Sequence, residues 1–149
     1  MTKIDDKDRQ ILRILESDGR ISNLDLAARV ALSPSATLRR VTALEASGVI
    51  RGYRAVTDRG RLGLGFVAYV AVGLSRHTKA AQVAFEAAMD AAEPVRECHN
   101  ITGEVEYLLR VEVADLPAYK RFHTDILGAL PHVATITSYV VMGSPKDRG

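Results

Sequence analysis

Residues 22–50 read SNLDLAARVALSPSATLRRVTALEASGVI, and this stretch predicts two helices with a tight break between them. Ser22 can cap the first, with Asp25 three positions on as a capping-box acid. Leu24, Leu26, Ala27 and Val30 supply its apolar side. The pattern is interrupted only by Ala31-Leu32-Ser33-Pro34. Ser33 is a good N-cap, and Pro34 stands at the first helical position, where a missing N–H costs nothing. The second helix runs from Pro34 to about Ser47 and stops at Gly48, which suits the left-handed position after a helix. On a wheel of about 100° per residue, Leu38, Val41 and Leu44 gather on one side. Ser35, Ala36, Arg39 and Ala43 point away, with Arg40 at the edge. Small residues let a helix sink into the major groove. An arginine can take guanine O6 and N7 together, and a hydroxyl can serve a base or a phosphate. Short helix, tight turn and second helix with such a face make a helix-turn-helix.

Upstream, Asp5 can cap a further helix whose Ile4, Ile11, Leu12, Ile14 and Leu15 form one buried stripe, ended by Asp18-Gly19. Asp6 and Asp8 suit its positive end. Downstream, Val49 to Val56 alternates enough to predict a two-stranded wing, which puts Arg51 and Arg54 beside the DNA backbone. The charge distribution agrees. Residues 1–60 hold eleven Lys and Arg against eight Asp and Glu, and from Arg20 to Arg54 six Arg face only Asp25 and Glu45. Arginine without lysine suits planar, bidentate contact with phosphates or base edges.

The whole chain has 149 residues, 47% hydrophobic and 26% charged, with a net charge of +2. That composition excludes a disordered chain, and the length allows one domain or two small ones. No segment approaches the roughly 18–20 apolar residues that span a bilayer, so no membrane partner is expected. The start, Met1 to Asp6, lacks the apolar core of a signal peptide. The single Cys98 excludes an intrachain disulfide and points to a reduced, cytoplasmic setting. His77, His99, His123 and His132 are scattered, so neither a metal nor a cofactor is expected. Neither a Gly-Lys-Ser/Thr loop nor a Gly-x-Ser-x-Gly elbow occurs. Ser33 and Ser35 read as a cap and a groove contact, not as nucleophiles.

Gly60, Gly63 and Gly65 mark a break. The expected organisation is a winged helix-turn-helix domain over residues 1–57, a linker over 58–65 and a second domain over 66–149. The second domain reads β-α-β-β-α-β. Its strands are expected at Phe66–Val72, Val95–Ile101, Tyr107–Val113 and Val133–Met142, and its helices at Ala80–Met89 and from Asp115 to Leu130. The fold class is therefore α+β, a winged helix-turn-helix followed by a ferredoxin-like βαββαβ unit. One face of that sheet is left uncovered, and an open apolar face finds a partner, so dimerisation through it is expected.

The chain resembles the Lrp/AsnC, or feast/famine, family of transcription regulators over nearly its whole length. The resemblance rests on Ile4-Asp5-x-x-Asp8-x-x-Ile11-Leu12, Asp18-Gly19-Arg20-Ile21-Ser22 and Leu32-Ser33-Pro34-Ser35. It continues through Arg40-Val41-x-x-Leu44-Glu45-x-x-Gly48-Val49-Ile50, Val95-x-Glu97-Cys98 and Thr102-Gly103-x-x-x-Tyr107-Leu108-Leu109-x-Val111. It implies homodimers that often assemble into octamers on double-stranded DNA, with an amino acid or related metabolite as effector. By this resemblance the helix beginning at Pro34 reads DNA, which assigns Ser33, Ser35, Ala36, Arg39 and Arg40 to the groove and Arg51 and Arg54 to its flanks. The effector site falls on the loop after the second strand (Thr102, Gly103, Glu104, Glu106 and Tyr107) and on the last strand (Ser138, Tyr139, Val140 and Val141). The family loop commonly reads Gly-Asp-x-Asp-Tyr, whereas this chain has Gly103-Glu104-Val105-Glu106-Tyr107. Each carboxylate therefore reaches one methylene further. It can pair with an effector's ammonium or serve as a turn carboxylate held by backbone N–H groups. Sirohaem decarboxylases share this domain order and would use His99 or His123 as axial ligand or proton donor. The arginine-rich helix, which such an enzyme does not need, argues against that alternative.

Overall fold

The computed structural model describes residues 3–148; Met1, Thr2 and Gly149, which fall inside the expected domain bounds, lie outside the described residues. The chain separates into two compact units, Met1–Val56 and Thr57–Gly149. The first holds α1 (Asp6–Ser17), α2 (Asn23–Val30) and α3 (Pro34–Ala46). α1 begins on a reciprocal capping box. The Asp5 carboxylate accepts from the Asp8 N–H at 2.8 Å, and the Asp8 carboxylate accepts from the Asp5 N–H at 3.1 Å. Ile11, Leu26, Val30 and Leu44 meet at the centre of the unit, with Ile4, Leu12, Ile14, Leu15, Ile21, Leu32, Val41 and Ile50 packed around them. Lys7 donates to the carbonyl of Val30, the last residue of α2, where a cation also meets the helix dipole favourably. The break between α2 and α3 turns through Ala31 at φ +53°, a left-handed conformation that costs an L residue with a Cβ about 1–2 kcal/mol.

Three expectations for this unit need correction. Leu24 is exposed, so α2 buries only Leu26, Ala27 and Val30. On α3 the buried arc is turned by one residue. Thr37 is fully buried, whereas Leu38 is 56% exposed and stands outside the core. A threonine can take that place because its Oγ1 donates to the Ser33 carbonyl at 3.0 Å, leaving no unpaired polar atom inside. The predicted wing strands do not form. Residues 51–58 are exposed and carry no strand pairing, which matches the marginal stability of an isolated two-stranded ribbon. What fixes this segment is Tyr53, whose hydroxyl donates to Glu45 at 2.8 Å.

The second unit contains β1 (Phe66–Leu74), α4 (Lys79–Ala91), β2 (Val95–Asn100), β3 (Tyr107–Val113), α5 (Leu116–Arg121) and β4 (Val133–Val140). The strands form one antiparallel sheet in the order β2-β3-β1-β4, the ferredoxin-like arrangement. Ala68, Val70 and Val72 of β1 and Leu109 and Val111 of β3 face the helices. They pack against Phe85 and Met89 of α4 and against Tyr119, Phe122 and Leu127. α5 does not continue as an α-helix but widens into a π-helical turn over Phe122–Leu127. In an α-helix residues five apart point about 140° away from each other; the wider turn buries Phe122 and Leu127 together.

By strand register the other sheet face carries Tyr69, Leu108, Arg110, Glu112, Thr137 and Tyr139. Within it Glu112 is a buried carboxylate, its side chain only 2% exposed, bonded by Arg59 Nε and by Arg110 Nη1, each at 2.5 Å. Arg59 lies in the stretch expected as a linker. That stretch is a turn of the second unit, closed by bonds from the Leu62 and Leu64 N–H groups to the Arg59 carbonyl. No helix among the described residues is long and apolar enough to cross a membrane.

Two stability changes follow. Ala31→Gly removes the left-handed penalty at the price of unfolded-chain entropy, so thermal unfolding should show a net gain of about 0.5–1 kcal/mol. Glu112→Ala leaves the guanidinium groups of Arg59, Arg96 and Arg110 facing the vacated site, and urea denaturation should show a loss of about 3 kcal/mol. A Glu112→Ala protein as stable as the parent would mean that the ion cluster holds nothing.

Candidate functional site

The outer face of α3 is built by what the helix buries. With Thr37, Val41 and Leu44 turned inward, Ser35, Leu38, Arg39, Thr42 and Ala46 fall within roughly 100° of arc, and all are exposed. The start of the helix is fixed by its cap and by a staple from the preceding helix. Ser33 Oγ accepts from the Ala36 N–H at 3.1 Å and lies 3.3 Å from Ser35 Oγ, while Asn23 Nδ2 donates to the Pro34 carbonyl at 2.8 Å. Ala36 is half-buried beside this cap. Arg39 is exposed and pairs with no carboxylate among the described residues; the same holds for Arg51 and Arg54 beyond α3. These three are free to meet phosphates or base edges.

Arg40, also expected at the groove, is instead engaged within its own unit. Its Nη1 bonds Asp5 Oδ2 at 2.8 Å and Asp8 Oδ1 at 2.9 Å, the carboxylates that cap α1. The guanidinium thus clasps the middle of α3 to the start of α1. The bond from the Asp8 N–H, and after it Arg40, holds the Asp5 carboxyl at about 2, down from its ordinary 3.8. Leu38, expected on the inner side, and Thr42, not singled out from the sequence, share this face with Ser35 at spacings of three and seven.

The expected effector residues divide. Thr102, Gly103 and Glu104 form an exposed loop in which Gly103 takes φ +130°. Glu106 takes the role of a turn carboxylate. Its Oε2 accepts from the Leu74 N–H at 2.7 Å, and its Oε1 lies 2.7 Å from His77 Nδ1. Its backbone carbonyl accepts from the Ile101 N–H at 2.8 Å and from Asn100 Nδ2 at 3.1 Å. Tyr107 is withdrawn altogether. Its ring is fully buried 4.6 Å from that of Phe85, and its hydroxyl donates to Glu86 at 2.6 Å. Burial, reinforced by Glu86, pushes that phenol well above its usual range. The last strand alternates. Ser138 and Val140 lie on the helix-covered side by register, with Ser138 hydrogen-bonded to Tyr119, while Tyr139 pairs with Tyr69 on the open side. Val141, just past the strand, is half-buried and donates to the Val67 carbonyl. These strand residues therefore do not share one surface.

His99 and His123 have local partners. His99 bonds Glu97 at 3.0 Å, and His123 lies edge-on to Tyr119. Cys98 is half-buried, its thiol pushed up by burial and by the nearby Glu86. Among the described residues no three His, Cys, Asp or Glu side chains gather to hold a metal.

The clasp carries a pH prediction. A carboxyl held below its unfolded value stabilises fully above about pH 4 and loses that contribution as pH falls through about 2. Asp5→Asn should therefore flatten the fall in stability between about pH 4 and pH 2 without changing its course above that range. Parallel acid-unfolding curves for the two proteins would show that Asp5 makes no such contribution.

Two family models match this chain. Residues 4–51 match a winged helix-turn-helix DNA-binding model, and residues 67–149 match the Lrp/AsnC ligand binding domain. The chain is 39% identical over 144 residues to the leucine-responsive regulatory protein of Salmonella typhimurium, covering 97% of this chain and 88% of that one. It is similar to a transcriptional regulator of Neisseria meningitidis solved in complex with L-Met, with TM-score 0.93, 35% identity and 97% and 94% of the two chains covered. It is also similar to a feast or famine regulatory protein of M. tuberculosis solved with L-methionine, with TM-score 0.86, 31% identity and 97% and 96% covered. The chain, a DNA-binding unit followed by a ligand-binding unit, belongs to the Lrp/AsnC family of transcriptional regulators and is not an enzyme.

Proposed function

We propose that this regulator reads operator DNA with the outer face of α3 and answers to a small amino acid of the methionine class. The observation that carries the DNA reading is the division of labour between adjacent arginines. Arg40 is spent on Asp5 and Asp8, and Arg39 stands free beside Ser35. In this reading Arg39 takes the base edge, Ser33 and Ser35 meet the backbone near the helix start, and Arg51 and Arg54 flank the site on phosphates. The exposed Thr102-Gly103-Glu104 loop is the part of the second unit that fits an effector. Its carboxylate can take an ammonium, and two similar regulators hold L-methionine. Glu106 supports the loop from behind. A second copy covering the open sheet face, where Tyr69 and Tyr139 are exposed, makes a homodimer, and further assembly to an octamer gives an effector something to shift. The effector acts only through a difference in affinity between assembly states. Such a protein works in the cytoplasm, on double-stranded DNA.

The reading is tested by selecting operators with the full chain, with and without L-methionine, and following assembly by sedimentation. A dimer neutralising about six phosphates gives a slope near −5 in log affinity against log salt. Arg39→Ala should lose roughly 1–3 kcal/mol of discrimination at one base position. Arg51→Ala should weaken all sequences alike and lower the slope by about one. Equal, sequence-blind losses for both would refute the assignment of Arg39. L-methionine that alters neither assembly nor operator affinity would refute the effector class.

A further inference from the structure

Leu38, like Leu24 on α2, is a large apolar residue that the first unit leaves exposed. It is apolar, on a helix with a well-filled inner side, and yet 56% exposed. A lone surface leucine is ordinary; its position makes this one informative. It shares the outer arc of α3 with Ser35, Arg39, Thr42 and Ala46, so the only large apolar group on that face stands one residue from the free arginine. The core has not rejected it for want of a stripe position, because its spacing from Val41 and Leu44 suits burial; the buried place is filled by Thr37. The patch is one side chain wide. Its neighbours at three and four positions are Ser35, Pro34, Thr42 and the half-buried Val41. That is too little apolar surface to dock a protein segment.

We infer that Leu38 is a specificity-determining residue that reads the C5-methyl group of a thymine next to the base contacted by Arg39. This rests on α3 being the DNA-reading helix. In the major groove the thymine methyl is the one apolar feature a base pair presents. A leucine has neither donor nor acceptor, so against a cytosine it leaves the N4 amine dehydrated and unpaired, and against a thymine it buries methyl on methyl. The discrimination is therefore of two kinds: gain at thymine, and loss where a polar edge meets the side chain. Arg39 and Leu38 together then specify a two-base step, with hydrogen bonds to one base and apolar contact to the other.

The test uses the full chain on its selected operator and a set of duplexes in which each thymine in turn is replaced by uracil, which removes only the methyl group. Binding is measured for the parent and for Leu38→Ala; the site is exposed, so the variant keeps its core. At one thymine per half-site, uracil should weaken the parent about four-fold, the equivalent of roughly 0.8 kcal/mol for one buried carbon. At that thymine Leu38→Ala should bind both duplexes alike, and Leu38→Met, still apolar, should retain most of the parent's response. Identical uracil responses of parent and Leu38→Ala at every position, or no response in the parent, overturn the proposal while leaving DNA reading by α3 intact. If Arg39→Ala also leaves base preference unchanged, the fault lies with α3 as the reading helix, and both fall.

Discussion

The rotation of α3 about its own axis is the constraint on which the DNA-binding unit depends. That rotation is set by two requirements acting on opposite flanks of the helix. Thr37 and Leu44 must be buried against α1 and α2, and Thr37 is accepted there because its hydroxyl is satisfied by the Ser33 carbonyl. Arg40 must reach the two carboxylates at the start of α1. With both met, the remaining arc holds Ser35, Leu38, Arg39 and Thr42. A different rotation would bury Leu38 and free Arg40, giving a more cationic and less discriminating face. The acidic start of α1 thus does two things at once, capping its own helix and taking a charge away from the outer face of α3.

The second unit shows the same economy. A carboxylate expected at the effector was found holding the backbone of β1 and facing His77, and the neighbouring tyrosine lies inside. The loop from Thr102 to Glu104 projects because Glu106 and Tyr107 are anchored beneath it. Its exposed residues are presented on a firm base. On the uncovered sheet face Glu112 gathers the guanidinium groups of Arg59, Arg110 and, at 3.9 Å, Arg96 into one ion cluster within the chain.

Much of the fold was legible because its signals are local. The capping residues Asp5, Ser22 and Ser33, the proline at the start of α3 and the alternation of β1 and β3 each act within a few residues of themselves. The wing's strands do not form because alternation gives a strand only where a partner exists, and residues 51–56 have none in this unit. The π-helical turn at Phe122–Leu127 failed for a related reason. Its cause is the need to bury Phe122 and Leu127 together against the sheet, which the helix's own sequence does not state.

The sequence by itself determined the three helices of the first unit with their caps, the β-α-β-β-α-β order of the second and the family to which the chain belongs. Only the tertiary structure decided which residues of α3 face outward, that Arg40 is committed, that Tyr107 is core and that Glu106 supports its loop. The physical reason is range. Helical periodicity leaves the buried arc uncertain by about one residue, or roughly 100°, and what removes that uncertainty is a contact such as Arg40 with Asp5, 35 positions apart in the chain.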